Sequence, residues 1–441
     1  MRKAKPPLIL IAVLIVLFAG RTTAADEGTS IPASRDLGQA GLTLREALTR
    51  TLKFSPQLLE SSWRKKAAAA REIQAGLLPN PELEFEMEEF GGTELRNGME
   101  AAVTSLQVAQ LIELGGKRGS RVRRAAAMSL LSGWDYESAR LDLLSETAVY
   151  FYEVLAAQEK LAVSDEMVGL ARRMHEVIGR RVDAGKVSPL ELSKSRVFLT
   201  TATIGRERTA RGLDTARRKL ASMWLGEPDF EAVAGDLYRL QDLPAEAETL
   251  KSMELNPDLA RWHDELTAAE TAARLEEAIA FPDLKLSAGF QRFNEIGETA
   301  FRVGFTFDIP LFDRNQGGVL AARSQLKVKT YQRVAKEKTL GTELAAARND
   351  YESYRTAAVS LRDVVLPAAD EAYRAAREGY ERGKLGYLEV LDAQRTLTEV
   401  KFDYIETLRA YQLTLMNLER LTGLLGLDVA VDSDAPEGET K

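Results

Sequence analysis

The chain runs through nearly the same order of parts twice. Pro56-Gln57-Leu58 recurs as Pro257-Asp258-Leu259, and Pro81-Glu82-Leu83 as Pro282-Asp283-Leu284, both 201 positions later. Gly185-Lys186 with Leu190-Glu191-Leu192 recurs as Gly383-Lys384 with Leu388-Glu389-Val390, at an offset of 198. So long a period excludes a solenoid or propeller and implies two copies of one substantial unit related by pseudo-symmetry. The 441 residues contain only 14 prolines, and no Ser/Gly-rich linker separates the copies. Long stretches of Ala, Glu, Arg and Leu without breakers have the composition of long helices.

Charge and cysteine content remove several function classes. A net charge of -7 with basic residues spread along the chain argues against a nucleic-acid partner. Without any cysteine there is no disulfide, thiolate metal site, thiol nucleophile or cysteine-linked lipid. At the N-terminus, Arg2, Lys3 and Lys5 precede an apolar run from Leu8 to Ala19, and Thr23-Ala24-Ala25 supplies small residues before Asp26. That pattern predicts an export signal over 1–25. The run is too short for a spanning helix, which needs about 20 apolar residues, and no later stretch reaches that length. A mature chain that crosses a membrane must therefore do so with strands.

Each copy carries a pair of alternating segments. Phe301, Val303, Phe305, Phe307 and Ile309 alternate with Arg302, Gly304, Thr306 and Asp308, and upstream Leu284, Leu286, Ala288 and Phe290 alternate with polar or small residues. In the first copy Leu83, Phe85 and Met87 alternate with Glu82, Glu84, Glu86 and Glu88; Ala102, Thr104, Leu106 and Val108 form the weakest of the four patterns. Strands are expected over about 82–90, 101–110, 283–293 and 301–309, a length that suits tilted membrane strands. On pattern alone a soluble sheet packed on helices is the plainer reading. Two features favour a membrane: the charge on the polar face and the export signal. Four strands cannot close a barrel, since the smallest membrane barrels use about eight, and open edges do not survive in lipid. Several chains must then share one barrel, and three would contribute twelve strands.

The remainder reads as helix. Thr43 and Glu46 form a capping box at the head of a helix running to about Leu78. A proline-free stretch from Arg118 to Ala184 would reach roughly 100 Å as one helix. Gly185 to Ser188 turns the chain, and Pro189 suits the first position of the next helix, to about Trp224. The second copy repeats this: a helix from Asn256 to Ala280, a long helix from Asn315 to Arg382 kinked at Pro367, a turn at Gly383 to Gly386, and a helix to Gly423. The expected organisation is a signal (1–25), an N-terminal extension (26–41), a first repeat (42–224), a connector (225–254), a second repeat (255–424) and an acidic tail (425–441). Charges such as Arg121, Arg123, Arg124, Lys327 and Lys329 read as solvated faces, with the lining of a channel as the alternative. Helices this long need coiled-coil partners beyond one chain.

Catalysis finds no support. His175 and His263 stand alone in helical stretches without ligand-spaced partners. Gly115-Gly-Lys-Arg-Gly-Ser120 lacks the spacing of a P-loop. The glutamates from Glu82 to Glu88 form a line, about 6.6–6.8 Å apart at alternate positions, and not a chelating cluster. Neither enzymatic activity nor a cofactor is expected.

From Leu42 to Leu427 the chain resembles the outer-membrane efflux protein family, the TolC-like channel components of tripartite efflux and secretion systems. The resemblance rests on Pro79-Asn-Pro81 before the first strand, Asp308-Ile-Pro-Leu-Phe-Asp-Arg-Asn315 after the last, and Gly383-Lys-Leu-Gly-Tyr-Leu-Glu-Val-Leu-Asp-Ala-Gln394, together with the duplication. Phe85-Glu86-Met87-Glu88 and Gln110-Leu-Ile-Glu-Leu-Gly-Gly-Lys-Arg118 are most similar to the branch serving heavy-metal (cobalt, zinc, cadmium or copper) pumps. The resemblance implies a mainly α fold with a membrane β-barrel: a homotrimer with one 12-stranded barrel in outer-membrane lipid and a long periplasmic α-helical barrel. A periplasmic adaptor protein would join it to an inner-membrane pump of the RND type. A drug-efflux or type I protein-secretion conduit would use the same architecture, and a periplasmic trimeric coiled coil without a barrel is a third reading.

The resemblance also implies site roles. Glu389 and Asp392, at i, i+3 on one helix face, would give six carboxylates around a narrow periplasmic entrance in a trimer, a ring that favours cations. Tyr380 and Glu191 would hold that entrance closed by a hydrogen bond between hairpins. The family's basic residue at position 385 is Leu385 here, with Lys384 as a neighbouring substitute. Gly185, Lys186, Ser188, Gly383, Lys384 and Gly386 mark the hairpin tips for adaptor contact, and Glu82, Glu84, Glu86, Glu88, Arg302 and Asp308 the barrel lumen. Many relatives carry a lipidated cysteine after the signal; its absence leaves attachment to the barrel.

Overall fold

The computed structural model describes residues 41–96, 98–243 and 245–423. The predicted signal, most of the extension and the acidic tail lie outside the described residues. The chain enters through β1 (Leu42–Thr43) into α1 (Leu44–Phe54) and α2 (Pro56–Ala75), then β2 (Glu82–Glu88), β3 (Val103–Ile112), α3 (Lys117–Asp183) and α4 (Pro189–Ser222). After β4 (Val233–Ala234) and α5 (Glu246–Met253) come α6 (Pro257–Ala260), α7 (Trp262–Ile279), β5 (Leu284–Phe293), β6 (Glu298–Phe307), α8 (Gln316–Ser360), α9 (Leu366–Glu381) and α10 (Tyr387–Thr422). No described helix is long and apolar enough to cross a membrane.

Local chemistry sets the helix ends. The Glu46 amide bonds Thr43 Oγ1 at 3.3 Å while the Thr43 amide donates to the Glu46 carboxylate at 2.8 Å, so the capping box is complete. The first expected helix is split, however. Ser55 is extended at φ -65, ψ 123 because Pro56 excludes the helical region for the residue before it, and Pro56 then opens α2. The helix expected from Asn256 to Ala280 is likewise broken at Arg261. Ahead of Pro367 the helix axis is carried through a π-helical turn, Leu361–Val365, in which the Leu366 amide reaches the Leu361 carbonyl. Proline cannot donate to the carbonyl four residues back, and the wider turn absorbs that misfit.

Packing follows heptads. On α10 the buried seam runs Tyr387, Val390, Gln394, Leu397, then Tyr404, Leu408, Tyr411, Leu415, Leu418 and Thr422, alternating three and four residues. On α3 the seam towards the turn is Ser164, Met167, Ala171, Met174 and Ile178. Near the hairpin ends the lateral order is α4, α3, α10, α9, and nearer the sheet it is α2, α3, α7, α8. The outer helices keep apolar stripes uncovered: Leu190, Val197 and Ile204 at heptad spacing on α4, and Leu320, Tyr331 and Val334 on α8. Tyr351 and Tyr411, both fully buried, share a 2.7 Å hydroxyl contact and tie the connector's Gln241 to the bundle. Not all charges expected on solvated faces are free. Lys329 pairs with Glu265 at 2.9 Å, and Arg121 bonds Glu113 and the carbonyls of Ala75 and Leu77.

Among the ionic links between α3 and α10, the one centred on Glu406 has the largest electrostatic signature. Glu406 receives Arg409 Nε at 2.9 Å and Lys160 Nζ at 2.5 Å, and these partners, Arg409 foremost, pull its carboxyl from an ordinary 4.5 down to about 2. A depressed carboxyl contributes stability above its unfolded value and loses it as pH falls through the folded one. The melting-temperature gap between the native chain and Glu406→Gln should therefore be largest above pH 4.5 and close as pH falls towards 2. A gap that stays constant across that range would contradict this assignment.

β2, β3, β5 and β6 form one antiparallel sheet in that order. β3, the weakest pattern in sequence, is a central strand of ten residues, hydrogen-bonded on both sides. β6 starts at Glu298, three residues earlier than expected, and ends at Phe307. Pro310 lacks an amide, and the Leu311 amide closes a tight turn onto the Ile309 carbonyl at 2.8 Å. Asp308, expected in the strand on its polar face, and Ile309 thus lie beyond the ladder.

Candidate functional site: the hairpin ends and the strand face

Both hairpins turn with the same device. Gly185 at φ +66 and Gly383 at φ +72 adopt the left-handed conformation that ends a helix without Cβ strain. Gly185 and Lys186 donate to the carbonyls of Val182 and Arg181, both at 2.8 Å; Gly383 and Lys384 donate to those of Tyr380 and Gly379, at 2.9 and 2.8 Å. The departing helices differ. Ser188 caps the Leu190 amide of α4 at 3.2 Å, whereas α10 has Gly386 at its cap and the Glu389 carboxylate folded back against it.

Tyr380 is the last seam residue of α9 and only 2% exposed. Its hydroxyl donates to Glu191 Oε2 at 2.8 Å, joining the second hairpin to the first. Burial, reinforced by the Glu191 bond, pushes its phenol well above the usual range, so the proton needed for that bond stays in place at neutral pH. Neighbouring Tyr387, its ring centre 6.0 Å away, is pushed up to about 12, by burial first and Glu191 second.

A third residue completes the cluster, and the sequence reading missed it. Arg181 on α3 donates Nη1 to the Tyr380 carbonyl and lays its guanidinium 4.6 Å from the ring centre. Tyr380 is thus held at hydroxyl, ring face and carbonyl by residues of the first hairpin. Position 385, where the family resemblance places a cation, holds Leu385 packed against Gly379, and neighbouring Lys384 makes no ion pair among the described residues. The available signal was spacing: Arg181 follows Ile178 by three and so continues the α3 seam.

Glu389 and Asp392 lie in the first turns of α10, both exposed, opposite the seam of Tyr387, Val390 and Gln394. Neither forms an ion pair among the described residues. The structure therefore brings Tyr380, Glu191 and Arg181 together, and it leaves the two carboxylates side by side, facing away from the chain's own packing.

At the sheet, register sorts the two faces. Glu84 aligns with Gln107, Gly289 and Arg302; Glu82 with Ala109, Ser287 and Gly304; Glu86 with Ser105, Gln291 and Ala300. Gln107 bonds Glu84 and Lys285 bonds Glu82, each at 2.5 Å. Small residues dominate the middle of this face, and a Cβ on Gly289 would collide with the Gln107 side chain and the Leu106 carbonyl. The opposite face holds Leu83, Val108, Ala288 and Val303 in one row and Phe85, Leu106, Phe290 and Phe301 in the next. Phe301 is 94% and Val303 84% exposed. An apolar face so bare, with β2 and β6 unpaired at the edges, is not a finished surface in water.

Other candidates have structural partners or none. His175 Nδ1 meets Ser195 Oγ at 2.7 Å between α3 and α4, and His263 sits exposed on α7. Among the described residues no group of His, Asp and Glu assembles with metal-ligand geometry.

Most of the chain is similar to known proteins. The profile of the family described as "Outer membrane efflux protein" matches twice, over residues 47–224 and 251–424. The chain is 30% identical to the cobalt-zinc-cadmium resistance protein CzcC of Cupriavidus metallidurans, over 96% of this chain and 100% of that one. It is 26% identical to the nickel and cobalt resistance protein CnrC of the same organism, over 62% and 65% of the two chains. In fold it matches the crystal structure of the outer membrane protein VceC from Vibrio cholerae, with a TM-score of 0.72 at 18% identity over 86% of this chain and 96% of that one.

Proposed function

Because this chain belongs to the outer membrane efflux protein family, we propose that it is the outer-membrane channel of a tripartite efflux system, carrying heavy-metal cations outward. It is a passive conduit and not an enzyme; a periplasmic adaptor opens it and an RND-type inner-membrane pump drives it. Three copies assemble, each repeat supplying two strands and a set of helices, so that six repeats make one 12-stranded barrel and one periplasmic helical barrel. The observation that carries this reading is the four-stranded sheet with an apolar outer face, a glutamate-lined inner face and two open edges. Only closure against other copies satisfies those edges in lipid.

Site roles follow from that assembly. Glu82, Glu84, Glu86, Glu88 and Arg302 line the lumen, with Asp308 at its periplasmic rim. The turns at Gly185, Lys186 and Ser188, and at Gly383, Lys384 and Gly386, meet the adaptor. Glu191, Tyr380 and Arg181 hold the entrance closed, and Glu389 and Asp392 ring it. The metal reading is favoured over drug efflux or protein secretion because a likeness of 30% identity, over 96% of this chain and 100% of the relative, is to a metal-resistance protein. A deletion strain should become sensitive to cobalt, zinc or cadmium and be restored by the native gene. Hypersensitivity to drugs with unchanged metal tolerance would overturn the metal reading in favour of drug efflux.

A further inference from the structure

We propose that Phe312 of each copy is a plug that seats in a hollow beside Leu77 and Leu78 of the next copy, locking the ring where sheet passes into helix. The inference rests on the shared-barrel assembly proposed above. β2, β3, β5 and β6 alternate in direction, so β2 and β6 run antiparallel to one another at opposite edges. When β6 of one copy pairs with β2 of the next, the end of β6 comes to lie beside the beginning of β2. Phe312 follows the last ladder residue, Phe307, by five positions, and Leu78 precedes the first, Glu82, by four. Both segments therefore lie just beyond the same end of the sheet.

Each side is built in advance. Phe312 is 90% and Leu311 63% exposed, yet the backbone that presents them is anchored. The Phe312 carbonyl accepts from Gln316 Nε2 at 3.2 Å, and Asn315 Nδ2 bonds Glu276 at 2.7 Å. On the other edge Leu77 and Leu78 are 52% and 65% exposed and, with Ala75, Pro79 and the polar Arg71, Gln74 and Arg121, border a hollow of about 470 Å³. That wall is pinned by Arg118 Nε to the Gly76 carbonyl at 2.7 Å, Arg121 Nε to Ala75 at 2.9 Å and Gln110 Nε2 to Pro79 at 3.0 Å. An aromatic knob on an anchored backbone, entering a preformed recess with an apolar wall of Leu77, Leu78 and Pro79, loses little backbone entropy, which makes it a strong anchor. The contact is heterologous and closes a ring when repeated.

The chain has no cysteine, so a Leu78→Cys, Phe312→Cys double variant carries only two thiols. Oxidation in isolated outer membranes should convert most of it to covalent dimers and trimers on non-reducing gels, because a disulfide needs Cα atoms within about 7 Å. Either single variant should give none. Native mass measurement of the unsubstituted protein separates the two ideas: a trimer whose double variant does not cross-link overturns the plug alone, and absence of a trimer overturns the assembly and the plug together. Independently, Phe312→Ala should lower the temperature at which trimers dissociate and Phe312→Leu should restore part of the loss; no change in either overturns the contact. Lipid is the competing occupant, and quenching of a Phe312→Trp variant by brominated phospholipid would decide against the plug.

Discussion

Replacing Glu389 by Gln and Asp392 by Asn in every copy is expected to abolish most of the channel's cation preference in planar bilayers. Two carboxylates per chain become six in a trimer. At about 8 Å in a water-filled mouth, each contributes roughly 0.5 kcal/mol to a passing monovalent cation. Unscreened, six amount to about 3 kcal/mol, and physiological salt reduces this to a preference of several-fold to about tenfold. The reversal potential in a salt gradient reads this ratio directly and should move towards zero. The structure leaves both side chains exposed and without ion pairs among the described residues, so neutralising them removes charge without orphaning an internal partner. Stability should therefore stay near native, and an unchanged reversal potential would rule out the ring.

The second large effect concerns the entrance itself. Tyr380→Phe removes the donor to Glu191, a charge-assisted bond worth about 1.5–3 kcal/mol. Arg181→Ala removes the hold on the Tyr380 carbonyl and ring, adding about 0.5–2 kcal/mol for the cation–π contact alone. Threefold repetition multiplies both. Single-channel conductance should rise several-fold in Tyr380→Phe combined with Glu191→Gln, and further when Arg181→Ala is added. Because Tyr380→Phe and Glu191→Gln break one shared bond, their double variant should exceed Tyr380→Phe only slightly, whereas Arg181→Ala should add nearly in full. Conductance unchanged in all of these variants would show that the cluster fastens two hairpins within a chain without governing the entrance.

Much of this architecture is legible in residue order because its rules are local. Thr43 and Glu46 announce a cap, Gly185 and Gly383 announce left-handed turns, Pro189 sits where a helix begins, and alternation at Leu83 to Met87 marks a strand. Each depends on neighbours within a few positions. Where residue order says least, the deciding contacts are distant. β3 has a diluted pattern because hydrogen bonds on both sides, to β2 and β5, hold it in place. Arg121 and Lys329 read as solvated until the elements carrying Glu113 and Glu265 are brought beside them. The π turn before Pro367 is a compromise between a missing amide and a helix that packing keeps continuous.

The sequence by itself determined the duplication, the element types, the helical hairpins with their glycine turns, and two faces of opposite character on each strand. Tertiary structure alone decided which residues meet across those elements. Tyr380 lies 189 positions from Glu191 and 199 from Arg181, so no local pattern couples them. They meet because heptad seams on α3 and α9 set the registry of two hairpins. The sheet register likewise turned four glutamates in a row into one wall shared with Arg302 and left β2 and β6 open. Propensity and periodicity act over a few residues, whereas contacts between distant segments are fixed only when buried seams choose one alignment.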